Sequence, residues 1–293
     1  MSVFQGSATA VITPFSNGKV DYDRYGKFID WQLAEGSDAI VTCGTTGEAS
    51  TLTWNEQINT IAFAVKRVAG KVPVIAGVGA NATEEAVEGS KRAEEAGVDA
   101  LLHVTPYYNK CSRRGLIEHF TACAGSVKIP VILYSVPSRT GVNISPDVCA
   151  ELADIDNIAG IKEASGDISQ VAEIARVTRG KDFGMWSGND DMIVPLMSLG
   201  GIGVISTVAN IVPRETHEMC AAFLAGDTAK AERIQLDLKP LIDAVFLEVN
   251  PIPIKAAAYL MGLCEYEYRL PLCPLAEENF GKLKKCMKDY NLI

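Results

Sequence analysis

The chain has 293 residues, 48% of them apolar and 22% charged, the balance of a soluble globular protein with a large buried core. A net charge of −9, spread without long like-charge runs, argues against nucleic acid or an anionic membrane as partner, so a small anionic substrate needs its own cation in the pocket. No apolar stretch approaches the roughly 18 residues of a membrane span, and the opening MSVFQGSATAVITPF lacks the basic start of an export signal, so a cytoplasmic location is expected.

In chain order, short β-branched runs alternate with helix-like stretches to about residue 226. Strands are expected at 7–13, 39–43, 72–76, 100–105, 130–135, 158–162, 182–187 and 203–206. Most are nearly continuous apolar runs, as in parallel strands covered on both faces. Helical spacing fills the gaps, as with Ile58, Ile61, Ala62 and Val65 after the second strand. Thr53-Trp54-Asn55-Glu56 fits a capping box, and Ser145-Pro146-Asp147 fits an N-cap followed by proline at the first helical position. Gly36, Gly70, Gly97 and Gly226 fit left-handed helix ends. Eight strand–helix repeats without a linker favour an α/β fold of the closed (β/α)8 TIM barrel type over an open doubly wound sheet, which stands as the alternative. From residue 227 the pattern is helical, at 228–249, 253–261 and 275–290, and reads as a C-terminal helical bundle beside the barrel. The expected organisation is thus a catalytic barrel over 1–226 and a helical region over 227–293.

Eight cysteines, at 43, 111, 123, 149, 220, 264, 273 and 286, form no C-x-x-C pair and read as free thiols, mostly buried. The three histidines, His103, His119 and His217, show no metal-ligand spacing to one another, and neither a metal nor another cofactor is expected.

In a (β/α)8 barrel the loops after the strands build the active site, so the residues just past each strand carry the information. Those segments are Gly44-Thr45-Thr46-Gly47-Glu48, Thr105-Pro106-Tyr107-Tyr108-Asn109, Tyr134-Ser135-Val136-Pro137-Ser138-Arg139, Lys162-Glu163-Ala164-Ser165, Ser187-Gly188-Asn189-Asp190 and Ser206-Thr207. Lys162 ends the apolar run Ile158-Ala159-Gly160-Ile161, which points its ammonium at the barrel mouth. Drawing an ammonium out of water favours the neutral amine, which attacks a carbonyl and forms an imine. The competing reading is a structural lysine paired with a carboxylate such as Glu163. Lys255 and Lys110 read as structural or solvated. The glycines of Gly44-Thr45-Thr46-Gly47 allow close backbone approach, and its amides and hydroxyls suit a carboxylate; a tight turn satisfying itself is the plainer account. Tyr134 fits a general acid/base or a core aromatic. Tyr107 and Tyr108 fit a loop that seals an interface, and Arg139 fits either a rim cation or a surface salt bridge. Gly200-Gly201-Ile202-Gly203 precedes the last strand, so close helix–strand packing explains it better than phosphate binding.

Together, Gly44-Thr45-Thr46-Gly47-Glu48, Tyr134-Ser135-Val136-Pro137-Ser138-Arg139-Thr140-Gly141 and Ile161-Lys162-Glu163-Ala164 resemble the pyruvate-dependent class I aldolase superfamily, and within it the dihydrodipicolinate synthase family. The likeness runs from Gly6 to the final helix and includes Ser187-Gly188 and Asn250-Pro251-Ile252-Pro253. It implies a lyase that joins pyruvate to aspartate semialdehyde through an imine on Lys162. Tyr134 is then the proton carrier, linked to Thr45 and to Tyr108 from a neighbouring subunit, in a homotetramer built as a dimer of dimers. Thr45, Thr46 and the Ile205 backbone hold pyruvate, Arg139 holds the aldehyde's carboxylate, and Gly188 and Asn250 complete the substrate pocket. Sugar keto-acid aldolases resemble the same barrel but usually lack this arginine. Ser135 departs from a common asparagine, with Tyr134 and Arg139 kept. Asn81, Glu85 and Tyr107 match the family's lysine effector pocket, whereas Gln57 stands where lysine-sensitive members commonly have histidine or glutamate, which implies weak inhibition or none.

Overall fold

The computed structural model describes residues 3–293. Eight parallel strands close into a barrel: β1 (Gly6–Ala10), β2 (Ala39–Thr42), β3 (Val74–Gly77), β4 (Ala100–Val104), β5 (Val131–Ser135), β6 (Ile158–Glu163), β7 (Gly184–Ser187) and β8 (Gly203–Ser206). Consecutive strands pair in parallel, and β1 closes the ring by pairing with both β2 and β8. The closed ring settles the choice against an open doubly wound sheet.

The outer layer is α1 (Tyr22–Ala34), α2 (Trp54–Val68), α3 (Thr83–Glu95), α4 (Arg113–Gly125), α5 (Pro146–Leu152), α6 (Ile168–Val177), α7 (Ile193–Ser198) and α8 (Pro213–Leu224). The tail adds α9 (Thr228–Ala244), α10 (Ile252–Leu260) and α11 (Glu277–Asp289). The inside of the barrel is filled by one cluster that includes Ala8, Val41, Ile75, Leu102, Ile132 and Trp186. A second cluster lies between strands and helices and continues into the tail at Leu238, Ile254 and Leu283. Apolar burial therefore joins the tail to the barrel without a break.

The capping box at Thr53 forms as the sequence predicts, with the Glu56 carboxylate returning to the Thr53 amide at 2.9 Å. Ser145 occupies its N-cap position but makes no cap bond, because its hydroxyl turns to the Asp147 carboxylate instead. β1 stops at Ala10 rather than at 13, and the chain then turns through a two-stranded hairpin of Phe15–Ser16 and Lys19–Val20. Residues 137–140, expected as loop, form a one-turn helix that begins on Pro137 and carries Arg139. α9 ends at Ala244, short of 249, and the following turn carries Asn250 to the barrel mouth.

Candidate active site

The direction of Lys162 is set by the register of β6. Ile158 and Ile161 both face the outer core although they are three positions apart. The cause is one extra residue in β6 against β5: Val131 pairs with Ile158, and the next residue, Ile132, pairs with Gly160. A shift of one residue sends every later side chain to the opposite face of a strand. Lys162 therefore points into the barrel, level with Tyr134 on β5 and Trp186 on β7. Gly160 makes the shift possible: its φ is +150°, and a Cβ there would meet the Gly184 carbonyl oxygen at 2.1 Å. Glu163 faces outward, accepting from the Gln170 side-chain amide at 2.8 Å and the Ser165 backbone at 3.1 Å. The structural pair of Lys162 with Glu163 is thus excluded by the strand itself.

Lys162 is 6% exposed, with Nζ 4.4 Å from the centroid of the Tyr134 ring. Both line a cavity of about 230 Å³ with Thr45, Thr46, Arg139 and Asn250. Gly188 lines it as well, and a Cβ at Gly188 would sit 3.1 Å from the Lys162 Cε, so the loop after β7 passes close to the lysine stem. Thr46 accepts from the Asn250 side-chain amide at 3.0 Å, and its hydroxyl also lies 3.5 Å from that of Thr207. Arg139 donates to the Asn250 carbonyl at 2.9 Å, fixing the cation at the mouth. The site thus offers an amine, a phenol, two hydroxyls and a guanidinium around one small volume. Ile205 does not line the cavity; its side chain is fully buried in the barrel core, and Thr207 lines the wall two residues on. Tyr108 does not line the cavity either; it is 91% exposed, with a φ of +70°.

A second cavity, about 430 Å³, shares Thr45, Tyr134 and Arg139 with the first. Gln57, Glu85 and Tyr107 line it. Asn81 does not; its carbonyl accepts from Asn109 at 3.0 Å. The Gln57 amide donates to the Ala49 and Leu52 carbonyls at 2.9 and 3.3 Å, so its donors are spent on its own loop.

Sequence reasoning quoted Asp190 within the loop after β7 without giving it a role. It is 2% exposed, and its Oδ2 accepts from the Thr207 and Val208 amides at 3.1 and 2.8 Å, fixing the turn after β8. Burial pushes its carboxyl up, opposed by those bonds and by the Lys162 charge. The fold also gathers His103, His119 and Cys123, with one ligand-type atom of each within 4.8 Å of the others. Residue spacing hid this, because His103 reaches the cluster from β4 and the other two from α4. Burial pushes the His103 imidazole down to about 3, and Ser90 lies 3.0 Å from its Nε2. Lys255 is fully buried, the structural one of its two readings, while Lys110 is exposed as expected. Of the eight cysteines, five are buried and Cys273 is exposed.

A family model described as the dihydrodipicolinate synthetase family matches residues 3–290. The 4-hydroxy-tetrahydrodipicolinate synthase of Thermoanaerobacter sp. (strain X514) is 53% identical over 294 residues, spanning 100% of this chain and 99% of that protein. Among solved structures, dihydrodipicolinate synthase from Aquifex aeolicus superposes with a TM-score of 0.97 at 47% identity, covering 99% of each chain. A monomeric dihydrodipicolinate synthase variant superposes equally well, TM-score 0.97 at 41% identity, over 99% of this chain and 98% of that one.

Proposed function

This chain belongs to the dihydrodipicolinate synthetase family, and on that premise we propose the part each rim residue plays. The enzyme condenses pyruvate with L-aspartate 4-semialdehyde to 4-hydroxy-tetrahydrodipicolinate, a step of lysine and diaminopimelate biosynthesis. The Lys162 amine attacks the keto carbon of pyruvate, and loss of water leaves an imine. Tyr134 carries the protons of that exchange, its ring lying within 4.4 Å of the amine. A proton leaves the pyruvate methyl, the imine becomes an enamine, and its carbon bonds to the aldehyde carbon, whose oxygen takes up a proton. The amine of the second substrate then adds to the imine carbon, and the bond to Lys162 breaks as the ring closes.

Thr45 and Thr46 hold the pyruvate carboxylate through their hydroxyls, the Thr46 oxygen being oriented by the Asn250 amide and the Thr207 hydroxyl. Ile205 contributes through its backbone, and Gly188 leaves room for the lysine stem. Arg139, held by the Asn250 carbonyl, takes the carboxylate of the aldehyde substrate. That cation distinguishes this reading from a sugar keto-acid aldolase. Tyr108 supports a shared site: an exposed aromatic with a positive φ is suited to entering a neighbouring subunit, within a homotetramer built as a dimer of dimers. Glu85, Tyr107 and Gln57 line the lysine effector site of this reading, with Asn81 outside its wall; Glu85 is the anion and Gln57 brings no charge. Among the described residues no helix is long and apolar enough to cross a membrane; a cytoplasmic location fits the free thiols.

The observation that carries the mechanism is the inward-facing Lys162 amine beside Tyr134 in one small cavity. Incubation with pyruvate and borohydride should fix the imine as a stable adduct, mapped by mass spectrometry to the peptide holding Lys162. An adduct on Lys255 instead, or none at all, would refute it.

A further inference from the structure

The tail and the rim meet at a fully buried ion pair. Lys255 on α10 and Glu48, just past Thr45 and Thr46, are both 0% exposed in their side chains, and Nζ lies 2.5 Å from Oε1. The ammonium sits 4.0 Å above the Phe15 ring, and Glu48 Oε2 has no hydrogen-bond partner among the described residues. A pair buried like this adds little net stability over apolar residues of equal volume, because lost hydration offsets the attraction. What it supplies is a fixed geometry.

The loop beside it depends on geometry. Glu48 has a φ of +55°, a left-handed conformation unusual for a residue with a side chain. Its amide closes the turn onto the Thr45 carbonyl at 3.1 Å, and its carbonyl accepts from the Thr51 amide and hydroxyl at 2.9 and 3.0 Å. A displaced Glu48 therefore displaces the peptides that carry Thr45 and Thr46. The tail grips the same loop a second time through Asn250 on the Thr46 hydroxyl.

We propose that Glu48 and Lys255 are positioning residues for the keto-acid: the buried pair locks the turn so that Thr45 and Thr46 meet the pyruvate carboxylate while its keto carbon faces Lys162. The inference rests on the imine reading above.

The test is the double variant Glu48→Gln with Lys255→Met, which leaves no buried charge alone. If the pair positions, the double variant melts cooperatively, its KM for pyruvate rises about tenfold or more, and its KM for the aldehyde stays within about twofold. Borohydride trapping then needs correspondingly more pyruvate. A folded double variant whose pyruvate KM is unchanged, or whose two KM values move alike, overturns the proposal. Should the double variant not fold, Glu48→Asp decides by the same split, since it keeps both charges and shortens the reach by one methylene. A parent enzyme that traps no pyruvate on Lys162 would instead sink the imine reading, so the two failures are separable.

Discussion

Tyr134 and Lys162 are neighbours across β5 and β6, which holds the proposed proton carrier and the proposed nucleophile in one rigid frame. Removing only the phenol oxygen, as in Tyr134→Phe, keeps the ring against the ammonium and deletes the proton relay. General acid–base catalysis contributes about 10²–10⁴-fold, so kcat should fall by that order while the Lys162 adduct still forms, more slowly. An unchanged kcat would remove Tyr134 from the mechanism. Arg139 stands at the mouth rather than beside the amine, so its loss should be felt by one substrate only. Arg139→Ala is expected to raise KM for aspartate semialdehyde by about tenfold or more, the scale of a lost charge-assisted pair, and to leave pyruvate trapping nearly intact. Equal losses for both substrates would refute that assignment.

At the scale of elements, the start of α2 joins local and long-range structure in one carboxylate. Glu56 closes the capping box and also takes two nitrogens of Arg269 from the tail, at 2.9 and 2.6 Å. The Arg269 bonds, aided by the Thr53 amide, hold the Glu56 carboxyl well below 4.5, at about 2. The unfolded chain therefore binds a proton at higher pH than the folded one, and the stabilisation is complete above about pH 4.5 and lost as pH falls toward 2. Glu56→Gln removes that gain, so the difference in Tm between parent and variant should widen as pH rises from 2 to 4.5 and stay constant above. A difference that does not change across this window would show that Glu56 is not titrating between those states.

The same elements show what a sequence makes legible. The capping box, the apolar strand runs and the glycine helix ends depend on residues close in the chain, and they were readable from local chemistry. The inward turn of Lys162 was expected, but its cause was not, because the extra residue in β6 is defined only against β5. Asp190 was passed over for the same reason: its worth comes from two amides seventeen and eighteen residues away. Lys255 reads from the sequence as structural or solvated, and only tertiary contact names its partner, Glu48, 207 residues earlier. Short-range rules found the rim, while the clamps that hold it are products of tertiary contact.

At the scale of the whole molecule, the question is whether one chain makes a whole site. Lys162, Tyr134, Thr45 and Arg139 surround one cavity of the chain, whereas Tyr108 stands out in solvent, 91% exposed. If Tyr108 completes a neighbour's relay, then Lys162→Ala and Tyr108→Phe damage different chains of the same site. Each variant alone should be nearly inactive. Mixed in equal amounts under conditions that exchange subunits, they form dimers in which one site pairs an intact Lys162 with an intact Tyr108. Random assortment makes that about a quarter of all sites in an isologous dimer, and activity should recover toward that fraction of the parent's. Recovery cannot occur if Tyr108 serves its own barrel, because then every site in every combination lacks one of the two groups. Failure to recover, with exchange verified by mass spectrometry of intact assemblies, would place the complete site within a single chain.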